Sequence, residues 1–189
     1  MVVELISVGT ELLLGNIVNT NAQFLAEKCA SLGLSMYHQV TVGDNRERLA
    51  EDISTALKRA DIIILTGGLG PTEDDITKEV CADVMGFKLV EDPHTRERIE
   101  AYFKDGIYPV ITDNNWKQAL VPEGCKVLDN HNGTAPGLIM EKDGKTAILL
   151  PGPFNELKPL FLDEVSPCLQ KLQPEVIRSQ MIKICGHGE

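Results

Sequence analysis

Short apolar runs alternate along this chain with longer segments that have helical spacing. Residues 2–8, 34–42 and 61–65 are rich in β-branched side chains and predict three strands, of which 61–65 is apolar enough to be central. Residues 19–32 and 45–59 place apolar side chains on one helical face and predict helices between these strands. Because parallel strands are joined by helical crossovers, this order predicts an α/β fold with a mostly parallel sheet covered on both faces.

The second half of the chain has a more mixed pattern. Residues 73–85 and 93–103 have helical spacing, and a further short helix is expected at 155–164. The apolar segments 137–140 and 146–150 flank an Asp-Gly pair, which is a strong hairpin signal. The sheet is therefore expected to gain a C-terminal antiparallel hairpin.

Size and composition fit one domain with a short appendage. The chain has 189 residues, of which 43% are hydrophobic, and this is enough for a sizeable core. We expect one domain at residues 1–170. Residues 171–189 are expected to be a tail or the start of a truncated linker domain, with a strand at 176–185.

Charge and cysteine usage narrow the classes of function. With 18 basic and 28 acidic residues the net charge is −10, which repels a nucleic-acid backbone, and no basic patch offsets it. The five cysteines form no Cys-x-x-Cys pair and no histidine has zinc-like spacing, which indicates reduced, structural thiols. No apolar segment approaches the ~20 residues of a membrane span, and no leader pattern is present. We therefore expect a cytoplasmic protein without nucleic-acid or membrane partners.

The most informative segment follows the central strand. Residues 66–72 (Thr-Gly-Gly-Leu-Gly-Pro-Thr) form a glycine-rich loop that leads into three acidic residues, 73–75, and a helix. Glycines let backbone N–H groups approach a phosphate, but the acids would repel it unless a divalent cation lies between carboxylate and phosphate oxygens. The loop matches neither a Walker loop nor a dinucleotide-binding fingerprint. Its alternative role is a tight connection that needs positive φ.

Several turns are predicted to meet at one edge of the sheet. Residues 9–11 end the first strand, 43–44 the second, 66–68 the third, and a Pro-Gly-Pro turn at 151–153 a later one. Ligands of open α/β sheets bind at the carboxyl ends of the strands. We therefore expect a cleft at this edge.

The acidic residues near this edge each have two candidate roles. Asp75 follows Thr72 by three residues, so the pair could form a helix capping box, or Asp75 could face the cleft and hold a metal. Asp44 begins an Asp-Asn-Arg-Glu capping sequence, and its alternative is a second metal-facing carboxylate. Glu11 is either a solvated loop acid or a further ligand, whereas Asp74 is expected to be solvated at the start of the helix.

The amide and imidazole side chains indicate a function less clearly than the acidic residues do. Asn19 is expected to cap the helix that follows it, although Asn16, Asn19 and Asn21 can also hydrogen-bond a ribose or a base. Residues 132–137 predict a turn before the hairpin, with a cleft-lining loop as the alternative. The four histidines form no ligand pattern, and no Ser-His or Cys-His couple supports covalent acyl chemistry.

With these motifs in place, the chain resembles the N-terminal domain of the competence/damage-inducible CinA proteins, which have the molybdopterin-binding fold of molybdenum-cofactor biosynthesis proteins. The resemblance spans nearly the whole chain. It rests on five ordered motifs, at residues 9–21, 66–77, 114–119, 132–137 and 150–157.

The resemblance implies a three-layer αβα sandwich whose glycine loop and acidic residues line a pocket for a nucleotide or a pterin. It implies that Asp75 and Asp44 are catalytic and that both, with Glu11, hold a divalent metal such as Mg²⁺, Mn²⁺ or Co²⁺. The residues implied in substrate binding are Gly9, Thr10, Glu11, Asn16, Asn19, Thr66, Gly67, Gly68, Leu69, Gly70, Pro71, Thr72, Asn132, Gly133, Thr134, Pro151, Gly152, Pro153 and Glu156. A homo-oligomer, dimer or trimer, is also implied.

Three functional hypotheses follow. The first is metal-dependent hydrolysis of the phosphoanhydride of ADP-ribose or a similar nucleoside diphosphate sugar. The second is a binding module that captures a molybdopterin or a nucleotide without turnover, and the third is nucleotidyl transfer in molybdenum-cofactor biosynthesis. CinA proteins commonly also carry a C-terminal amidase domain, which this sequence lacks, so deamidation is not expected of it. The sequence also departs from the family at Phe154-Asn155, where relatives often have a second proline or a serine.

Overall fold

The computed structural model describes residues 1–104 and 111–173. Its strands are β1 (Val2–Val8), β2 (Ser35–Val42), β3 (Ile62–Thr66), β4 (Leu89–Glu91), β5 (Leu120–Pro122), β6 (Lys126–Leu128), β7 (Gly137–Lys142) and β8 (Lys145–Leu150). Its helices are α1 (Thr10–Leu13), α2 (Thr20–Ser31), α3 (Arg46–Arg59), α4 (Thr77–Met85), α5 (Pro93–Lys104), α6 (Phe154–Leu160) and α7 (Ser166–Leu172). A 3₁₀ segment covers Asp113–Ala119, and a π-helical turn at Phe161–Val165 joins α6 to α7.

The main sheet has six strands in the order β2-β1-β3-β8-β7-β6. Strand β1 pairs in parallel with β2 and β3, and β3 pairs in parallel with β8. Strand β7 runs antiparallel to both of its neighbours, β8 and β6. The β7–β8 hairpin turns at Asp143 and Gly144, whose φ angles of 51° and 72° suit a two-residue turn. The predicted mostly parallel sheet with a C-terminal antiparallel hairpin is confirmed.

The two faces of the sheet carry separate apolar layers. Ile63 on β3 belongs to the same buried cluster as Leu49 on α3. Its neighbour Ile64 points to the opposite face and belongs to a cluster with Leu25 on α2 and with Phe161. Alternate side chains of one strand thus pack against helices on opposite faces. The three-layer αβα arrangement is confirmed, and it explains why residues 62–65 are apolar without interruption.

The structure shifts two of the predicted helices. The helix expected at 73–85 begins only at Thr77, because residues 71–76 continue the loop through a turn described below. The helix expected at 155–164 starts at Phe154, passes through the π-helical turn and continues to Leu172. The strand expected at 176–185 lies outside the described residues. None of the helices within residues 1–104 and 111–173 combines the length and apolarity needed to cross a bilayer.

Candidate functional site

The carboxyl ends of the parallel strands open on a cleft of about 830 Å³. Gly9 follows β1, Gly67 follows β3 and Pro151 follows β8, and all three line it. Asp44, which follows β2, lines the same cleft. A cavity of this volume is large enough for a nucleotide-sized ligand.

Most of the predicted site residues lie together in this cleft. The cleft lining includes Gly9, Glu11, Asn19, Asp44, Thr66, Gly67, Gly68, Leu69, Gly70, Pro71, Asp75, Asn132, Gly133, Thr134, Pro151, Gly152, Pro153 and Glu156. Three predicted residues, Thr10, Asn16 and Thr72, do not line it. The two threonines instead hold acidic side chains that do, and the Asn16 N–H closes the first loop by donating to the Glu11 carbonyl at 3.0 Å.

Asp44 is oriented by Thr10. Its Oδ2 accepts the backbone N–H of Thr10 at 2.9 Å and the Thr10 hydroxyl at 2.8 Å. The cap of α3 is the neighbouring Asn45, whose side chain accepts the N–H of Arg48 at 3.1 Å. The capping role considered for Asp44 therefore belongs to Asn45, and the Asp44 carboxylate lines the cleft.

Asp75 is oriented in the same manner by Thr72. Its Oδ2 accepts the backbone N–H of Thr72 at 2.9 Å and also the Thr72 hydroxyl. Since α4 begins at Thr77, this pair closes a turn inside the loop, and the predicted capping box at the helix start is wrong. The Oδ1 atoms of Asp44 and Asp75 accept no hydrogen bond from the described residues. Each aspartate thus combines one oxygen held by a threonine with one that has no hydrogen-bond donor among the described residues.

The glycine loop needs its glycines for backbone reasons. Gly67 has φ of +91°, and a Cβ there would lie 2.3 Å from the Val8 carbonyl oxygen. Gly68 has φ of +66°, and a Cβ there would lie 2.1 Å from the Thr77 hydroxyl. The tight-connection role is therefore real, and it coexists with exposure of the loop to the cleft.

Asn19 has the structural role expected from the sequence. Its Oδ1 accepts the N–H of Ala22 at 3.0 Å and so caps α2, while its Nδ2 donates to the Ser7 hydroxyl at 2.8 Å. Asn19 also lines the cleft, but both polar ends of its amide are occupied. A ligand would therefore meet an amide whose hydrogen bonds are already made.

The loop at 132–135 and Glu156 form the opposite wall of the cleft. Asn130 Nδ2 donates to Glu156 Oε2 at 2.6 Å, and a Cβ on Gly133 would lie 2.1 Å from the same oxygen. Burial raises the pKa of Glu156, and the hydrogen bond from Asn130 opposes that rise. Asn132 donates to the carbonyl of Asn155 at 2.8 Å. The loop is thus a cleft wall as well as a turn, which is the alternative considered for residues 132–137.

The charged side chains that line the cleft in the described part of the chain are all acidic. Five carboxylates line it, from Glu11, Asp44, Asp74, Asp75 and Glu156. None of the lining residues in the described part of the chain is Lys, Arg or His. Asp74, which the sequence suggested was merely solvated, is one of the five. An anionic ligand would therefore meet electrostatic repulsion from the charged side chains of the cleft.

The carboxylates do not form a complete metal site by themselves. Within residues 1–104 and 111–173 no group of three or more His, Cys, Asp or Glu side chains is close enough to hold a metal ion. The three acids considered as ligands, Asp75, Asp44 and Glu11, share the cleft without such a cluster. A cation here would need oxygen atoms from its ligand and from water.

Two further amides line the cleft: Gln118, which sequence reasoning missed, and the half-buried Asn21, for which it left capping and ligand binding as alternatives. Gln118, only 2% exposed, donates from Nε2 to the Leu69 carbonyl at 3.3 Å, and Asn21 donates from Nδ2 to the Gly152 carbonyl at 2.7 Å. Their carbonyl oxygens, Gln118 Oε1 and Asn21 Oδ1, are buried and accept no hydrogen bond from the described residues. Tyr102 also lines the cleft. Gln118 lies within the resemblance motif at residues 114–119, but nothing in its spacing indicated a role.

The comparisons with known proteins agree with this geometry. The sequence profile of the family described as "Probable molybdopterin binding domain" matches residues 4–171. A protein of Caldicellulosiruptor bescii that carries the name competence-damage inducible protein is 57% identical over 189 residues, which is 100% of this chain and 46% of the relative. A Clostridium beijerinckii protein with the same name is 50% identical, with the same coverage. The chain thus spans about half the length of the curated relatives it matches.

Solved structures give the same assignment. The crystal structure of CinA from Thermoplasma acidophilum, described as a protein with unknown function, has a TM-score of 0.82 and 32% identity. The match covers 89% of this chain and 99% of that one. The molybdopterin biosynthesis enzyme MoaB of Thermus thermophilus shares the fold with a TM-score of 0.57, at 15% identity and with coverage of 93% and 98%. The chain therefore belongs to the probable molybdopterin binding domain family, with CinA proteins among its relatives.

Proposed function

We propose that this domain binds a nucleoside diphosphate sugar in the cleft and hydrolyses its phosphoanhydride with the help of a divalent metal, ADP-ribose being the first substrate to test. One observation carries the proposal. A glycine loop that can offer N–H groups to phosphate lies in a cleft lined by five carboxylates, with no basic side chain among its described lining residues. A diphosphate can be neutralised in such a cleft by a cation that bridges it to the carboxylates.

The tethered aspartates fit a metal-bridged diphosphate. Asp44 and Asp75 each use Oδ2 for a threonine and keep Oδ1 available on the cleft lining. Mg²⁺ is usually held by one or two carboxylates together with substrate phosphates and water, so a cluster of three protein ligands is not required. Asp75 and Asp44 would supply these carboxylates, and Glu11 is a third candidate.

The chain's own residues would act by positioning and by charge. The Gly67 N–H already donates to the Leu150 carbonyl at 3.1 Å, so the amides of residues 68–70 would hold phosphate oxygens. Asp75 would fix the diphosphate relative to the attacking water. A divalent cation, when bound, supplies charge neutralisation at the phosphate oxygens and favours ionisation of water. Water adds to one phosphorus, the bridging P–O bond breaks, and one water proton passes to the departing phosphate oxygen. The products are AMP and ribose 5-phosphate, which near neutral pH release about two protons together, because the second pKa of each phosphomonoester is about 6.

The test is an assay of the purified protein after its metals are stripped. We expect no AMP from ADP-ribose without added metal, and AMP formation when Mg²⁺, Mn²⁺ or Co²⁺ is restored, because the carboxylates would otherwise repel the diphosphate. Chromatography of the products measures this directly. Intact ADP-ribose with all three metals would contradict hydrolysis.

A binding module without turnover is the second candidate. The specific observation in its favour is that the described carboxylates do not gather into a three-ligand metal cluster. Metal-dependent calorimetric binding of ADP-ribose or of a pterin phosphate, with no product, would select this function. Nucleotide consumption that requires a pterin phosphate would instead select nucleotidyl transfer.

We also propose that the domain forms a dimer or a trimer. The loop at the rim of the cleft exposes four large apolar side chains, with exposed fractions of 56%, 70%, 53% and 84% for Leu13, Leu14, Ile17 and Val18. Contiguous exposed apolar side chains of this kind are typical of interaction surfaces. Sedimentation equilibrium should therefore show a mass of two or three chains, and a monomer at all concentrations would contradict the proposal.

A further inference from the structure

The loop that follows β3 is held from behind by a segment about 40 residues further along the chain. Lys117, in the 3₁₀ segment Asp113–Ala119, donates from Nζ to the Thr72 carbonyl at 2.9 Å and also to the Asp75 carbonyl. These two carbonyls bracket the turn in which Thr72 tethers the Asp75 carboxylate. One side chain outside the loop therefore fixes both ends of the turn that carries a proposed metal ligand.

Neighbouring contacts hold the rest of the loop. Gln118 Nε2 donates to the Leu69 carbonyl at 3.3 Å, and the N–H of Thr77 donates to the Gly68 carbonyl at 3.1 Å. Together with Lys117, these donors occupy four loop carbonyls. In a trans peptide the N–H of the next residue points opposite to the carbonyl. The Gly68 and Leu69 carbonyls point toward their donors, Thr77 and Gln118, so the N–H groups of Leu69 and Gly70 point away from those donors. These two N–H groups can therefore bind a ligand.

Lys117 is itself buttressed by a second lysine. Lys78 Nζ donates to the Lys117 carbonyl at 2.6 Å, and Lys78 is only 5% exposed. The pKa of Lys78 is lowered to about 8, mainly by burial; the nearby Lys117 charge contributes to the fall, whereas Glu79 and Cys125 oppose it. The carboxylate of Glu79 lies 3.9 Å from Lys117 Nζ. The ammonium groups are thus placed behind the loop, whereas the described lining in front of it carries only acidic charge.

We propose that Lys117 is the positioning residue of the glycine loop: its ammonium group, donating to the Thr72 and Asp75 carbonyls, holds the loop and the Asp75 carboxylate in the form that binds a metal-bridged diphosphate. The proposal rests on the proposed function for the identity of the ligand. The role of Lys117 in the loop itself does not depend on turnover. Charge-assisted hydrogen bonds are about twice as strong as neutral ones, which suits such an anchor.

Lys142 provides a matched control. Its Nζ also donates to two carbonyls, those of Met85 at 2.8 Å and Gly86 at 3.1 Å, at the opposite end of α4. Lys142 does not line the cleft. Lys142→Met therefore removes the same kind of contact at a distance from the loop.

The experiment compares Lys117→Met, Lys117→Arg and Lys142→Met with the wild type. Calorimetry with ADP-ribose and Mg²⁺ should show binding weakened about 10- to 100-fold in Lys117→Met, and restored in large part by Lys117→Arg. Hydrogen exchange of the amides at 67–76 should be faster in Lys117→Met only. Lys142→Met should keep both wild-type values.

Two results would overturn the proposal: exchange at 67–76 that is unchanged in a folded Lys117→Met, or exchange there that Lys142→Met accelerates equally. Should Lys117→Met fail to fold, Lys117→Gln, which keeps a neutral donor, is measured by the same two readouts. The exchange measurement requires no ligand. A wild type that neither binds nor hydrolyses ADP-ribose would defeat the proposed function while the exchange rates still decide the role of Lys117.

Discussion

Replacing Asp75 by Asn is expected to lower metal-dependent turnover of ADP-ribose by about a hundredfold or more, with little loss of stability. An asparagine can keep the local structure, because its carbonyl oxygen can still accept the N–H and hydroxyl of Thr72 as Asp75 Oδ2 does. Its amide nitrogen would then replace the open Oδ1. A hydrogen-bond donor without charge would thus stand where the wild type offers an anionic oxygen, and a cation would lose that ligand.

Asp92 supplies the matched control for this substitution. Its Oδ2 accepts the N–H of Thr95 at 2.8 Å and the Thr95 hydroxyl at 2.6 Å, which is the same pairing of one carboxylate oxygen with one threonine. Asp92 does not line the cleft. Asp92→Asn should therefore keep wild-type turnover. A difference in turnover between the two variants would then be due to the position of Asp75 in the cleft, and not to the change of an aspartate that pairs with a threonine.

Turnover is measured as initial rates over a series of Mg²⁺ concentrations, and circular dichroism verifies that each variant is folded. Asp44→Asn should behave like Asp75→Asn, since Thr10 holds Asp44 Oδ2 in the same manner. Near-normal turnover by a folded Asp75→Asn protein would remove Asp75 from the catalytic role. If Asp92→Asn lost as much activity, the loss in Asp75→Asn would not be specific to the carboxylate that lines the cleft.

The regular elements of this fold could be predicted because their physics is local. Strand β1 has the bounds 2–8 expected from its β-branched run, and α3 differs from the expected 45–59 only by its cap residue. Helix α3 buries one face whose period can be seen in the chain itself, and β1, which is buried on both faces, can be seen as a run rich in β-branched side chains. The three-residue strands β4, β5 and β6 are too short to show such a period, and none of them was predicted.

The acidic residues show where local reasoning fails. A carboxylate three residues from a threonine is the spacing of a helix cap, and Asp75 has that spacing inside a loop whose shape is fixed by Lys117 and Gln118. Those two contacts span more than 40 residues of sequence, so no local pattern could contain them. The set of turns that shares the cleft was predictable, because parallel strands bring their carboxyl ends to one edge. The hydrogen-bond partners of each side chain could not be predicted from the sequence.

Replacing Gly68 by Ala is the second change with a large expected effect, and it tests whether the loop geometry itself is required. The added Cβ would lie 2.1 Å from the hydroxyl oxygen of Thr77, which is fully buried and has little room to move. The φ of +66° at this position is also unfavourable for alanine. We expect a loss of about 2–4 kcal/mol in the free energy of unfolding, the sum of overpacking and backbone strain, and loss of ADP-ribose binding.

Three further variants separate the clash with Thr77 from the backbone strain. Gly124 has φ of +77°, and a Cβ there would meet no atom within 4 Å, so Gly124→Ala should cost only the strain of about 1–2 kcal/mol. Thr77 Oγ1 is buried and has no hydrogen-bond partner among the described residues, so Thr77→Ala should itself cost little. The double variant Gly68→Ala/Thr77→Ala removes the clashing oxygen and should recover most of the overpacking cost, but not quite the stability of Gly124→Ala, because the Cβ at position 77 would still lie 3.1 Å from the added Cβ. Urea denaturation measures all four, and a Gly68→Ala cost no larger than that of Gly124→Ala would show that Thr77 does not constrain the loop.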